Sequence, residues 1–494
     1  MIRPGALAPR LGGDRWFRRA AATVVAVGIA LRILTMVGYS PGDISHPDTA
    51  WYVGSAAHSL FSDPFRPVGY ALFLRLLHSV SPNVSFTIAV QHLVGLATAL
   101  LAYRLCRQIG SRRAVALLPA AAVLVSGDQL YLEYSLLSDC LFLALLVLSG
   151  LLAVSIPSSE DPSGWRGPVT TLAAALVTAL TAEVRTVGVA LVPVLIVWVL
   201  RYGGARRAVR VRRAAAAAVV CLAVLLGYAA AQQQATGVFG LSRFGGWPLY
   251  ARVAPIADCH RFHPPAGTAV LCEKMPISQR PGPDFYLWNP YSRAEWFLGY
   301  PPSHASLVGS FALSTIVHEP LSYLGLVTRD LGRYIDPSLV TGQLWGADWR
   351  SLALNQPPGS ADPGSLRAVT GYYRNVHLHV RDRLMDTLES WRGIFRVHGV
   401  LIVLLTLLGC AGLRLSSDRR TTRGIVLLAA FAIVLIVVPT ATMSYEARYG
   451  LPASLLLVII GARGGELMLV WLRALRWSAV PARSISARLQ GGRG

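Results

Sequence analysis

The chain has 494 residues, of which 53% are hydrophobic and only 14% charged, well below the roughly 25% charged of an average soluble protein. That balance excludes a soluble enzyme and a disordered tail, and it fits a polytopic membrane protein. The formal net charge of +21 does not point to nucleic acid. The arginines stand in short clusters between apolar runs, and no aromatic-interleaved basic groove appears.

After a basic stretch at 1–19, apolar runs of about 17–25 residues, the length that crosses ~30 Å of hydrocarbon, are predicted at 20–37, 86–104 and 135–154, with a shorter and weaker one at 114–125. The stretch 169–200 is interrupted by Glu183 and Arg185 and reads as two spans joined by a tight turn. A further span follows at 214–231, and the last ones lie at 400–415, 424–439 and 451–472, about ten in all. With that count, the clusters Arg15/Arg18/Arg19, Arg107/Arg112/Arg113, Arg206/Arg207/Arg210/Arg212/Arg213, Arg414/Arg419/Arg420/Arg423 and Arg473/Arg476/Arg483 fall on one side. The excess of positive charge makes that side cytoplasmic, with the first run an uncleaved anchor.

The fold class expected is therefore an all-α polytopic membrane protein. Residues 20–235 hold the first seven spans and a long first outer loop at 39–85. Residues 236–395 form an extracytoplasmic domain of short helices and ordered loops, rich in Pro, Gly, Trp and Tyr. Residues 396–475 hold the last three spans, and 476–494 a basic cytoplasmic tail. A helical period persists near 306–334.

Cys259 and Cys272 lie 13 apart in the outer segment, where thiols oxidise, so a disulfide is the leading reading. Zinc held by Cys259, His260, His263 and Cys272 is the alternative, with Arg261 opposing the charge of the metal. Cys106, Cys140, Cys221 and Cys410 lie in or beside spans and read as small buried hydrophobes.

In a chain so poor in charge, each ionisable side chain at the outer ends of the spans needs a reason. Asp48 follows Ser45, a candidate helix cap, and shares a helical face with Tyr52. It either satisfies a helix N-terminus or acts as a general base at the membrane surface. The amphipathic segment 65–77 begins with Arg66, which either snorkels or meets a lipid phosphate. Asp139 reads as an interhelical hydrogen-bonding group or as the wall of a polar cavity. Arg185 and Arg448 offer planar forks suited to phosphate, with pairing to Glu183 and Glu446 as the competing explanation. Trp247, Tyr250, Tyr286, Trp288, Tyr291 and Trp296 suit either stacking on sugar rings or core packing.

Several short motifs then come in a recognisable order: Asp48-Thr49-Ala50-Trp51-Tyr52, Arg66-Pro67-Val68-Gly69-Tyr70-Ala71, Gln91 with Gly95, Ser138-Asp139, Arg185-Thr186-Val187-Gly188 and Arg448-Tyr449-Gly450-Leu451-Pro452. The set resembles the membrane-embedded glycosyltransferases of the C-type fold, in particular the bacterial aminoarabinose transferases and protein O-mannosyltransferases. The resemblance spans 43–188 and, locally, 445–452; the second motif lacks two of the usual prolines, and the large outer segment is not covered.

The resemblance implies a sugar donor carried on polyprenyl phosphate, a bacterial plasma membrane with the site on its outer face, and an envelope acceptor that is glycan, lipid or protein. It implies a single inverting displacement in which Asp48 takes the acceptor proton, with Asp43 as the second candidate. Arg66, Arg185 or Arg448 would stabilise the leaving phosphate, while Tyr52, Tyr70, Asp139, Glu183 and Tyr445 would help to bind substrate. No cofactor is required, although some relatives use a divalent metal, for which Asp43, Asp139 and Glu183 are the candidate oxygen ligands. A lipid-linked sugar transporter or flippase would place its charges nearer the bilayer midplane and show repeated halves. A non-catalytic envelope-assembly protein would need no acid paired with Tyr in the first loop.

Overall fold

The computed structural model describes residues 14–157, 164–336, 353–357, 361–397 and 399–478. The chain starts with α1 (Asp14–Gly38), β1 (Tyr39–Ser40), α2 (Asp48–Ala57), α3 (Gly69–Val80), α4 (Val84–Gln108), α5 (Arg113–Val125) and α6 (Gly127–Tyr134). Next come α7 (Asp139–Val154), α8 (Arg166–Val184), α9 (Leu191–Tyr202) and α10 (Arg207–Thr236). The segment between α10 and the last spans, expected to be the outer one, carries α11 (Trp247–Val253), α12 (Pro283–Trp288), α13 (Arg293–Leu298), α14 (Ala305–His318), α15 (Pro320–Arg333), α16 (Pro363–Tyr372), β2 (His379–Val380) and α17 (Asp382–Ile394). The last helices are α18 (Gly399–Leu415), α19 (Arg419–Thr442) and α20 (Ala447–Ser478). The one sheet among the described residues is the short antiparallel pair β1–β2.

Every apolar run expected from the sequence is helical, but not all reach across a bilayer. Among the described residues, seven helices are long and apolar enough: Arg15–Gly38, Val84–Gln108, Arg166–Val184, Arg207–Thr236, Asp382–Leu415, Arg419–Thr442 and Ala447–Leu475. Helices α5 and α6, bent by 52° to each other, reach that length only when taken together, as a broken span or a re-entrant pair. The stretch Thr186–Tyr202 and α7 are apolar but shorter. With its 16 residues, α7 reaches only ~24 Å at 1.5 Å per residue. It starts at Asp139, not at 135, because the preceding turn leaves the helix to make other bonds: Gln91 Nε2 donates to Ser135 O (2.9 Å) and Ser135 Oγ to Asp43 Oδ2 (2.8 Å). Residues 169–200 do form two helices, with the break at Arg185.

The spans pack through small residues, as expected where lipid and core are equally apolar. A Cβ on Gly464 of α20 would lie 1.9 Å from Leu408 O of α18, so the closeness of these two helices depends on that glycine. A buried polar knot ties α1, α4 and α6 together. Arg32 Nη2 donates to Glu133 Oε1 (2.7 Å), His92 Nδ1 lies 2.9 Å from Glu133 Oε2, and Gln129 Nε2 donates to Oε1 (2.9 Å).

In the outer segment, Trp247, Tyr250, Tyr286 and Phe311 are fully buried and build an aromatic core. Cys259 and Cys272 form a disulfide with a Cα–Cα distance of 5.9 Å. Cys106, Cys140 and Cys221 are buried, whereas Cys410 is exposed on the outside of α18, contrary to the expectation for it. Helix α3 buries Tyr70, Ala71 and Leu74 and exposes Leu72, Leu76 and Val80, the pattern of an interfacial helix.

Candidate active site

Helix α2 begins at Asp48 itself, with Pro47 before it and no side-chain cap. Ser45 is not the cap: its N–H donates to Asp43 Oδ1 (3.0 Å). The first free N–H of the helix, that of Asp48, donates to His46 Nδ1 (3.1 Å). That bond puts the imidazole proton on Nε2, and burial lowers the His46 pKa despite the neighbouring Asp48. The 3.7 Å contact between His46 Nδ1 and Asp48 Oδ2 is therefore a neutral contact rather than an ion pair.

Asp48 is thus released from capping and sits between two guanidinium groups. Its Oδ1 pairs with Arg66, and its Oδ2 accepts from Arg448 Nη2 at 2.7 Å. Burial alone would raise its carboxyl pKa; Arg66 and Arg448 outweigh burial and hold it well below the usual carboxylate range. Arg66 is presented by a tight loop that Asp63 organises, accepting from Phe65 N (2.7 Å) and Arg66 N (3.2 Å). Arg448 pairs also with Glu446, and its Nη1 lies 3.9 Å from Asp139 Oδ2. The other oxygen of Asp139 pairs with Arg185, whose guanidinium lies over Tyr449 (4.9 Å). Asp48, Asp139 and Glu446 thus meet Arg66, Arg185 and Arg448 from distant parts of the chain in one ion-pair cluster, to which Asp63 Oδ2 is joined through Arg66 Nη1 (3.5 Å); Asp48, Asp63, Asp139, Glu446 and Arg448 are each more than nine-tenths buried.

A cavity of about 800 Å³ opens on this cluster. Its wall has three parts. One is apolar, from Phe142, Val187, Leu435, Val438 and Pro452; one is charged, from Asp48, Arg66, Arg185, Glu446 and Arg448; and one is aromatic, from Trp51, Phe65, Phe244, Trp288 and Tyr300. Tyr52 also lines it, with its hydroxyl 2.8 Å from Ser138 Oγ.

The structure thus brings Asp48, Tyr52, Arg66, Asp139, Arg185 and Arg448 together, and it sets the other candidates apart. Asp43 is fully buried behind the loop, where its carboxylate holds Ser45 and Ser135; it does not line the cavity. Tyr70 is fully buried, donates to Gln91 Oε1 (2.5 Å) and packs edge-on against Tyr52. It supports Tyr52 and does not face the cavity. Tyr445 is buried between Tyr334 and the guanidinium of Arg333. Glu183 has no ion-pair partner among the described residues and lies outside the cavity wall, so Arg448 is partnered by Glu446 and Arg185 by Asp139. Asp43, Asp139 and Glu183 are not gathered; among the described residues no three Asp, Glu, His or Cys side chains cluster to hold a metal ion.

Sequence reasoning did not single out His46, Phe65, Phe244 or Tyr300, all of which line the cavity. The proline-flanked run Pro64-Phe65-Arg66-Pro67 was the available signal for Phe65. The aromatic candidates divide: Trp247, Tyr250 and Tyr286 are core, Trp288 lines the cavity, and Tyr291 and Trp296 are exposed.

No protein-family model matches the chain, and no curated protein matches it in sequence. Among solved structures it is similar to the oligosaccharyltransferase of Archaeoglobus fulgidus in the apo form, at 12% identity over 95% of this chain and 52% of that one, with a TM-score of 0.48. It is similar as well to the archaeal oligosaccharyltransferase AglB, from the same organism, in complex with an inhibitory peptide and a dolichol-phosphate (15% identity, 94% and 52% covered, TM-score 0.45). A third likeness is to ArnT from Cupriavidus metallidurans in the apo state (13% identity, 90% and 77% covered, TM-score 0.37). The chain spans about half the length of the archaeal structures that it matches. At these values the likeness assigns neither a family nor an activity.

Proposed function

We propose that the chain is an integral membrane glycosyltransferase that moves a sugar from polyprenyl phosphate to a hydroxyl of a cell-envelope acceptor, with inversion, on the extracytoplasmic face of a bacterial plasma membrane. The observation that carries this reading is a carboxylate held between two arginines in a cavity that apolar and aromatic side chains also line. The apolar wall suits the prenyl chain, and the arginines suit its phosphate.

Asp48 is ionised but a weak base while both of its oxygens are paired. A donor phosphate competes with it for Arg66 and Arg448. As the arginines turn to the phosphate, the carboxylate loses its counter-charges and gains basicity. It then accepts the acceptor O–H proton while that oxygen attacks the anomeric carbon. The bond from the anomeric carbon to the phosphate oxygen breaks, and the electron pair leaves with polyprenyl phosphate. Its charge grows from one to two, and Arg66, Arg185 and Arg448 are placed to offset the increase. Base strength is thereby coupled to the presence of donor.

The test is transfer from a panel of labelled polyprenyl-phosphate sugars to a cell-envelope extract, with protein reconstituted in lipid and the product anomer read by NMR. Transfer with inversion is expected from one donor. Donor binding without transfer from any of them favours a transporter or scaffold, and retention of configuration contradicts the single displacement.

A further inference from the structure

We infer that the aromatic wall of the cavity is the acceptor subsite and that the acceptor hydroxyl belongs to a sugar ring, so that the product contains a sugar-to-sugar bond. This inference rests on the transferase reading above.

The aromatic cluster runs from a sealed core to the cavity wall. Trp247, Tyr250, Tyr286 and Phe311 are sealed in the core of the segment. A second group is centred on Phe65: Trp51 lies 4.9 Å from it, Phe244 4.9 Å, Trp288 5.0 Å and Tyr300 6.1 Å between ring centroids. This group packs on Phe65, which is buried with Phe244, and lines the cavity. Trp288 is only half-buried, and Tyr300 is 47% exposed. Large, partly open aromatic side chains in a cavity wall are ready surfaces for a ligand with an apolar face and a polar rim. A pyranose or furanose ring has that form: C–H bonds on its faces, hydroxyls around its edge. Asp284 and Ser242 lie in the same wall and offer oxygens for those hydroxyls.

The position fits the chemistry as well. Phe65 is joined directly to Arg66, and Arg66 pairs with Asp48. A ring resting on the Phe65 group is thus held next to the base. An acyl-chain acceptor would need apolar surface without Asp284.

The experiment uses the full chain in lipid bilayers, its donor from the panel and a cell-envelope extract as acceptor. Methylation linkage analysis identifies the atom that carries the new bond. The expected result is a new substitution on a sugar carbon; a bond to Ser, Thr or a lipid hydroxyl overturns the inference while leaving the transferase reading intact. Trp288→Ala and, as a second variant at an open position, Tyr300→Ala are expected to raise the acceptor KM roughly tenfold or more, with donor affinity unchanged. Trp288→Phe should restore most of the loss. Trp296→Ala, exposed and outside the cavity, serves as the control. An unchanged acceptor KM in both Trp288→Ala and Tyr300→Ala also overturns the inference. Donor binding without any transfer overturns the underlying reading instead.

Discussion

Replacing Arg448 by Gln tests the charge cluster at its most connected point. Arg448 touches Asp48, Asp139 and Glu446, and its removal leaves those three acids with only Arg66 and Arg185. The Asp48 pair has a 2.7 Å contact with side chains 9% and 11% exposed. At an effective dielectric of about 20, charges centred ~4 Å apart attract by ~4 kcal/mol, and much of that is offset by lost hydration. Removing one partner alone forfeits the attraction and leaves the other charge buried, a loss of about 3–5 kcal/mol. Arg448→Gln is therefore expected to lower the unfolding temperature in lipid discs markedly. The double variant Arg448→Gln/Glu446→Gln restores the charge balance and should recover part of the loss. In the same variants, donor affinity should fall by about 10- to 100-fold, as one charge-assisted hydrogen bond of ~1.5–3 kcal/mol disappears, and Glu446→Gln should not restore it. Thermal unfolding and donor competition binding on the same samples separate the two effects. Wild-type stability together with wild-type donor affinity in Arg448→Gln would refute this reasoning.

Further expectations concern pH, the buried polar knot and the disulfide. Because the Asp48 carboxyl lies well below its ordinary value in the folded chain, its stabilising contribution is complete above ~3.9, the usual unfolded value. It is lost only as pH falls through the lower folded value. The kcat/KM profile should thus show no acid limb from Asp48 above about pH 4, and Arg66→Gln should move that limb upward. In the knot of α1, α4 and α6, Glu133→Gln removes the carboxylate charge that Arg32 and His92 share and replaces one of its two acceptor oxygens by a donor. It should destabilise the protein by about 3–5 kcal/mol, with donor affinity unaffected in the fraction that remains folded. Cys259→Ser opens a 13-residue loop and should cost about 3 kcal/mol, seen as faster proteolysis of the outer segment before the spans are cut.

The cluster was legible because charge is rare in this chain. Asp48, Arg66, Asp139, Arg185 and Arg448 each stood out at a span end, and a common membrane level was enough to suggest that they meet. What the sequence did not reveal is which way each side chain turns. Asp43 lies five positions before Asp48, yet the parallel contact with Ser135 draws it under the loop. Tyr52 and Tyr70 belong to neighbouring helices, and only the face of α3 decides that Tyr70 packs behind Tyr52. Arg32 passed as one charge within a long apolar run because its partner Glu133 is about a hundred positions away. Of the aromatic wall the sequence shows Trp288 but not Phe65, Phe244 or Tyr300, because these come from loops and short helices with no shared period. The expected span at 135–154 was too long at its outer end because hydropathy does not register the Ser135–Ser138 turn.

The most direct measurement is single-turnover sugar transfer by Asp48→Asn, with donor affinity measured on the same preparation. The side chain keeps its shape but cannot take a proton. A fall in turnover of about 10²–10⁴-fold, with donor affinity equal to or tighter than wild type because Arg66 and Arg448 are freed for the phosphate, is the expected result. Turnover at the wild-type rate would contradict the assignment of Asp48 as the base and, with it, the coupling of base strength to donor binding.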